Sequence, residues 1–514
     1  MRLRFRMARF TSMTGSGETP ADARFSHGHA GLSAWLHDHA ARVEASVLVA
    51  LALAIGGYIR FIHLGVAEIT GDEVASWAIA KAPTLADVMR TNQVVNPGTL
   101  ALHELTLHVW MLMFGQSEAA LRALSALYGT AAIALVFFVA YELLMIPAAG
   151  GDGCGRDARE AEVTAAISAF ITAISLVMIN YSREARMYPL TLALVLAQIG
   201  FFFRGMRRGG WPNFAALAGF TALGVAANFT VGFAYAAEGA WFAWRLIVER
   251  RRGRGLDGHA WRAAFGVLAG LAILAPLGSM VVLQLGSGVR GGRWSWIAPP
   301  RLLDPLEAFE SASGAWVFVI LAALGLWAAL SYRRSRRDQI AFVLIWMWLP
   351  PLLQLAISYS FRPVDVTRYV LSSFVAFYIL AALGIAALRD ARARGGAVAV
   401  LTLIMLAHVY QYDRKPRDRQ FREAVALATL EASGGERIGV VDWDETNGPA
   451  RFYAAPARRA DLVRLPPTGD GKGELTQIQI IIMPSIVPPA ALARYRALYP
   501  RVDGKFRRIE VRSR

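Results

Sequence analysis

Two short polar stretches interrupt a very apolar chain: "TGDEV" at residues 70–74 and "NYSREARMYPL" at 180–190. The first carries the acidic pair Asp72 and Glu73; the second carries Arg183, Glu184 and Arg186 between two tyrosines, Tyr181 and Tyr188. A carboxylate at a water–lipid boundary can take a proton from an attacking hydroxyl. Guanidinium groups beside it can hold a departing phosphate, because their donors match its oxygens. In the second stretch Glu184 can neutralise one arginine and leave the other for an anion. An interfacial salt bridge with Tyr181 and Tyr188 as aromatic anchors would account for the same residues. Charges at membrane depth are costly and are tolerated where they face a partner or a wet cavity.

The elements that must position these residues are apolar. The 514 residues are 55% hydrophobic and only 18% charged, and the mean hydropathy is +0.39, too apolar for a soluble enzyme of this length. Uninterrupted runs cover roughly 45–64, 119–143, 162–180, 188–203, 213–227, 229–247, 263–283, 314–331, 339–357, 369–388 and 396–410. At ~20 residues per crossing of a ~30 Å hydrocarbon layer, they predict about eleven transmembrane helices. The weakest stretch is 213–247, where the break at Asn228-Phe229-Thr230 is short and Glu238 falls inside an apolar run.

The formal charge of +16 does not point to nucleic acid, because the arginines flank spans. Arg204, Arg207 and Arg208, then Arg250–Arg252, then Arg333, Arg334, Arg336 and Arg337, and then Arg389, Arg392 and Arg394 fall on one side if the spans alternate. The positive-inside rule makes that side cytoplasmic. It places the N-terminus inside and leaves Asp72, Lys81, Arg183, Arg186 and Arg368 outside. Residues 1–44 read as a flexible cytoplasmic tail, since no apolar core follows the arginine-rich start. Residues 45–410 form the membrane domain, with outer loops at 65–118, 181–188, 284–313 and 358–368. Residues 411–514 read as an extracytoplasmic α/β domain: an amphipathic helix in "QFREAVALATLE", strands in "RIGVVDW" and "IQIIIMPS", and a helix in "PAALARYRALYP". The fold class expected is therefore an all-α polytopic membrane protein with a small α/β C-terminal domain.

The first outer loop is about 50 residues, far beyond ordinary helix connections, and long loops tend to carry function. Its "APTLADVM" starts a helix with Thr84 as N-cap. The order "GDE" after the first span, "HVWMLMFGQSEAALRALSALYG" entering the second and "NYSREARMYPL" after the third resembles the GT-C glycosyltransferases that use polyprenyl-phosphate sugars. The similarity is to the family 39-like bacterial group of protein mannosyltransferases, lipid A aminoarabinose transferases and rhizobial galacturonosyltransferases. It covers roughly residues 45–205, with weaker echoes in "RPVDVTRYVLSSFVAFYIL" and "FREAVALATLEASGGERIGVV".

The resemblance implies an inner-membrane enzyme that takes a polyprenyl-phosphate-linked sugar and inverts its anomeric carbon at the outer face. Asp72 would be the catalytic carboxylate, with Glu73 beside it. Glu184, Arg186 and Tyr188 fall on the family's Glu-Ala-Arg-Met-Tyr loop, where Arg183 replaces a glutamine. Arg186, with Arg183, Lys81 or Arg368, would hold the donor phosphate. Where many members have His-Pro-Pro, this chain has Asn96-Pro97-Gly98, and His103 and His108 read as interfacial residues on a packed helix. The acceptor would be a glycolipid, polysaccharide or protein.

No cofactor is required by this chemistry and no divalent metal is indicated. Cys154 is the sole cysteine, no Walker or dinucleotide glycine loop occurs, and "DWDETNG" lacks EF-hand spacing. Trp294 and Trp296 in "GVRGGRWSWIAPPRLLDP" fit either a lid or an aromatic belt, and Arg362, Asp365 and Arg368 fit either the same cavity or an interfacial ion pair. A transporter or flippase and a non-catalytic envelope-assembly protein are the alternatives. A transporter should place its charges near mid-membrane, whereas here they gather at one surface.

Overall fold

The computed structural model describes residues 42–96, 99–146, 154–275, 297, 299–332, 335–361, 363–388, 390–413, 420–432, 436–441, 448–465, 479–482, 487–505 and 509–513. The expected N-terminal tail, Pro97-Gly98, Trp294, Trp296, Arg362 and "DWDETN" lie outside them.

Helix α1 (Arg42–Phe61) is followed by three helices in the first loop: α2 (Gly71–Ala80), α3 (Leu85–Val95) and α4 (Leu102–Phe114). Thr70 and Glu73 close a reciprocal capping box on α2, which fixes where that helix begins. Thr84 caps α3 through the Asp87 amide. Next come α5 (Glu118–Leu144), α6 (Cys154–Ile174), α7 (Leu176–Ser182) and α8 (Tyr188–Arg208). Pro189 opens α8, and Gly209, at φ 63°, closes it in the left-handed region that glycine adopts without strain.

Then follow α9 (Trp211–Ala227), α10 (Val231–Arg251), α11 (Gly258–Ile273), α12 (Asp304–Ser313), α13 (Ala315–Ser331), α14 (Arg337–Ser360), a 3₁₀ turn (Thr367–Val370), α15 (Leu371–Ala386) and α16 (Ala391–Asp413).

Each expected apolar run is helical over most of its described residues, with breaks at Ser175 and at Phe229-Thr230. Among the described residues six helices are long and apolar enough to cross a membrane, and eight if two bent pairs each count as one. The bent pairs are α6 with α7, turning by 61°, and α12 with α13, turning by 109°. Three runs fall short for separate reasons. Helix α9 has only 17 residues, α10 carries Glu238 and Arg245, and α11 has 16 residues before the described chain breaks off. The protein is a multi-pass membrane protein.

Helices α8 and α15 form the centre and are buried along most of their length, whereas α1 and α16 lie at the periphery. Phe203, Trp241, Phe342 and Trp346 pack edge-on between α8, α10 and α14. At Gly384 a Cβ would overlap the Leu324 carbonyl, so α13 and α15 meet backbone to backbone. Inside the bundle Gln198 donates to Glu238 at 2.9 Å, which satisfies the one acid of α10's apolar face.

The C-terminal residues contain α17 (Phe421–Glu431), α18 (Pro449–Tyr453), α19 (Pro489–Leu498) and five short strands: β1 (Ile438–Val441), β2 (Leu462–Leu465), β3 (Gln479–Ile482), β4 (Arg501–Lys505) and β5 (Glu510–Ser513). Their order is β2-β1-β3-β5-β4, with β1 parallel to β2 and β3, and β5 antiparallel to β3 and β4. Side chains alternate across the sheet. Val440 and Ile481 pack under α17, while Val441, Ile480 and Ile482 face α19. The sequence marks α17, β1, β3 and α19; β2, β4, β5 and α18 are too short or too charged to show a period.

Candidate active site

Three segments far apart in sequence meet at the start of α2. They are α2 itself, the turn between α7 and α8 (residues 183–187), and the 3₁₀ turn before α15. Asp72 stands on the first turn of α2, its side chain 53% exposed, and Arg368 Nη1 donates to its Oδ2 at 3.0 Å. Arg186 is buried and its Nη1 donates to the Asp72 carbonyl at 2.9 Å and to Ser76 Oγ at 3.0 Å. Its Nε has no hydrogen-bond partner. The Tyr188 ring lies under both cations, 5.8 Å from Arg186 Cζ and 5.3 Å from Arg368 Cζ.

Glu184 adds a second carboxyl. Burial, and then the neighbouring charges of Glu73 and Asp72, push its pKa up to about 7, against the pull of Arg368 and Arg186. Burial lowers the Arg186 pKa, but Tyr188, Asp72 and Glu104 outweigh it and raise the value overall, so that arginine stays charged. The site therefore holds two acids and two guanidinium groups around one half-open aspartate.

Glu73 has a different place from its neighbour. It is 1% exposed and Arg122 grips it with two bonds, Nε to Oε1 at 2.7 Å and Nη2 to Oε2 at 2.8 Å. The Ala185 amide adds a third bond at 3.0 Å and the Thr70 amide a fourth at 2.9 Å. The remaining N–H groups of Arg122 donate to the carbonyls of Leu64, Ala67 and Glu68. Each oxygen of this carboxylate accepts two hydrogen bonds, so Glu73, expected beside Asp72 at the catalytic centre, is committed to structural partners. Glu73 instead joins α2, α5 and the 183–187 turn.

Two other residues expected at the donor phosphate also lie elsewhere. Arg183 turns back onto α1, where its Nε and Nη2 donate to the Ile59 carbonyl at 3.0 and 2.6 Å. Lys81 ends α2, nine residues beyond Asp72, which puts it ~13 Å away along the helix axis. Asp365 is directed to Asp304, and burial followed by that second acid raises its pKa. His103 is fully buried beside Glu104 and Arg186 and held in its neutral form chiefly by burial; His108 Nδ1 meets the Ala80 carbonyl at 2.7 Å.

The sequence reading missed Arg122, Ser76 and Glu104. Ser76 Oγ lies between Arg186 at 3.0 Å and Glu104 Oε1 at 3.4 Å. A charged residue inside an otherwise apolar helix, such as Arg122 in "ALRALSALYG", was the available signal. Among the described residues no group of three or more His, Cys, Asp or Glu side chains could hold a metal ion.

No protein-family model matches the chain, and no curated protein matches it by sequence. Solved structures do match it by shape. ArnT from Cupriavidus metallidurans bound to undecaprenyl phosphate superposes with a TM-score of 0.56 at 13% identity, covering 90% of this chain and 97% of that one. The apo state of the same ArnT gives 0.57 at 14% identity, over 91% and 98%. The fold is GT-C. The Archaeoglobus fulgidus oligosaccharyltransferase in complex with zinc and sulfate matches this GT-C chain at 0.55 and 12% identity, over 88% of this chain and 71% of that one. The match to ArnT runs over nine-tenths of the chain.

Proposed function

We propose that this protein is a membrane glycosyltransferase that moves a sugar from a polyprenyl-phosphate donor to a hydroxyl of an envelope glycolipid, polysaccharide or protein. The observation that carries the reading is the junction of a half-exposed Asp72 with Arg368 at 3.0 Å and with a buried Arg186 whose Nε is unpartnered. The GT-C fold and the undecaprenyl phosphate named for ArnT support the donor class.

In this reading the acceptor O–H gives its proton to Asp72 as its oxygen bonds to sugar C1 on the face opposite the phosphate. The C1–O bond to phosphate breaks, and polyprenyl phosphate leaves with one more negative charge. Arg186 and Arg368 take up that charge, which is worth most to them in the transition state. Tyr188 braces both guanidinium planes, and Glu184, protonated near neutrality, adds little repulsion to the incoming phosphate. The reaction lies on the extracytoplasmic face of the inner membrane, with the N-terminus inside and the 411–514 domain outside.

The test is mass spectrometry of glycolipids and glycoproteins from cells with the gene, without it, and with Asp72→Asn. One missing hexose, pentose or uronic-acid increment in both the deletion and the variant is the expected result. An increment that survives in Asp72→Asn refutes the assignment and returns the chain to a transporting or assembly role.

A further inference from the structure

The side chains of α2 fall into two neighbouring rows. One row, Asp72 and Ser76, faces Arg186. The next, Glu73, Trp77 and Lys81 at four-residue spacing, faces α5 and the C-terminal residues. Trp77 is buried, edge-on to Phe452 at 5.2 Å, with its indole N–H donated to Gln116 at 3.0 Å. Two cations share its ring: Lys81 Nζ lies 3.9 Å and Arg459 Cζ 5.0 Å from the centroid. Arg459 is fixed there by its Nε, which donates to the carbonyls of Arg451 and Ala454 at 3.1 and 3.3 Å. Arg451 is the third cation, and after burial the charges of Arg459 and Arg451 are what pull the Lys81 pKa down. Among the described residues no carboxylate forms an ion pair with any of the three.

We propose that Lys81 and Arg459, gathered on Trp77, form with the neighbouring Arg451 a second anion subsite that takes a phosphate-bearing group. Three cations held together without a counter-charge repel one another, and a phosphate oxygen fork would satisfy all three. The subsite is separate from the donor phosphate position, because Trp77 lies ~7 Å beyond Asp72 along the α2 axis and on the other row of side chains. Resting on the glycosyltransferase reading, it assigns to the acceptor side a molecule whose phosphate is remote from its reacting hydroxyl. Phosphate of this kind can belong to a glycolipid acceptor or to a bilayer headgroup, and the chemistry of capture is the same.

The experiment uses the full chain in phosphatidylcholine nanodiscs, with inorganic phosphate as the probe and ³¹P line broadening as the readout. Two classes of site are expected in the parent protein. Lys81→Gln with Arg451→Gln, both at exposed positions, should weaken one class about tenfold or more and leave the other intact. Arg368→Gln should do the reverse. The same titration in discs containing anionic phosphatidylglycerol separates the sources: loss of the Lys81 class there assigns the site to bilayer headgroups, and its persistence assigns it to an acceptor phosphate. A double variant that folds, by an unchanged melting midpoint, and keeps both classes overturns the proposal, as does a parent protein with the Arg368 class alone. Binding is measured without turnover, so a transfer that survives Asp72→Asn would refute the parent reading and leave this result standing.

Discussion

Asp72 and Glu73 are adjacent in the chain and opposite in circumstance, and their variants should fail in opposite ways. Asp72→Asn keeps the fold and should cost roughly 10²–10⁴ in turnover, the usual worth of a positioned proton acceptor, with no loss of melting temperature. Glu73→Gln leaves Arg122 buried without its anion and should cost about 3–5 kcal/mol, read as a drop in the unfolding midpoint. Glu184 governs the response to pH. Its folded pKa of about 7 exceeds the ordinary 4.5, so the folded chain holds a proton that the unfolded chain releases. Stability therefore falls as pH rises from 4.5 toward 7 and levels off above it. Over the same transition an added negative charge next to Asp72 opposes the donor phosphate, so the donor KM should rise through pH 7. Glu184→Gln should flatten both profiles; a Gln variant with the parent's pH profile would show that another group titrates.

At the scale of elements, α2 is held at its start. The Thr70 capping box fixes its start, and Tyr453 on α18 accepts the Ile69 amide at 2.8 Å one residue earlier. Thr70→Ala should cost about 1 kcal/mol in stability, and because it loosens the turn bearing Asp72 it should lower kcat more than it raises KM, as steady-state kinetics would show. Much of this element level was legible in advance. Lipid demands long apolar helices, so the runs announce themselves, and Thr84 before "LADVM" is a visible helix start. Tertiary partners were not legible. Arg183 and Arg186 look alike in "SREARM", yet one caps α1 carbonyls and the other reaches Asp72, a choice made by the direction of the α7–α8 turn. Lys81 was misplaced because helix rise, and not sequence proximity to Asp72, sets its distance.

At the scale of the molecule, the eleven apolar runs correspond among the described residues to six helices that qualify as crossings by length and apolarity, or eight if the pairs bent by 61° and 109° each count as one. The arginine distribution makes a prediction about sides that labelling can check. With Cys154 replaced by serine, a cysteine introduced at Arg90 should react with an impermeant maleimide in intact spheroplasts, and one at Gly210 only after permeabilisation; the reverse pattern would invert the orientation. The C-terminal residues clasp the first loop. Arg422 reaches Glu118 at 2.7 Å and its amide meets Glu68 at 2.7 Å, so the sheet and the loop bearing Asp72 are joined at several points.

The Arg122–Glu73 clasp also limits how relatives of this chain can diverge. Neither residue can be exchanged alone without stranding a charge in the interior, so ancestry should record the two changing together or not at all. Position 72, whose bond to Arg368 is made by a half-exposed side chain, should be constrained by chemistry first. In descendants that have abandoned the reaction, the aspartate would drift first while the arginine–glutamate couple endured.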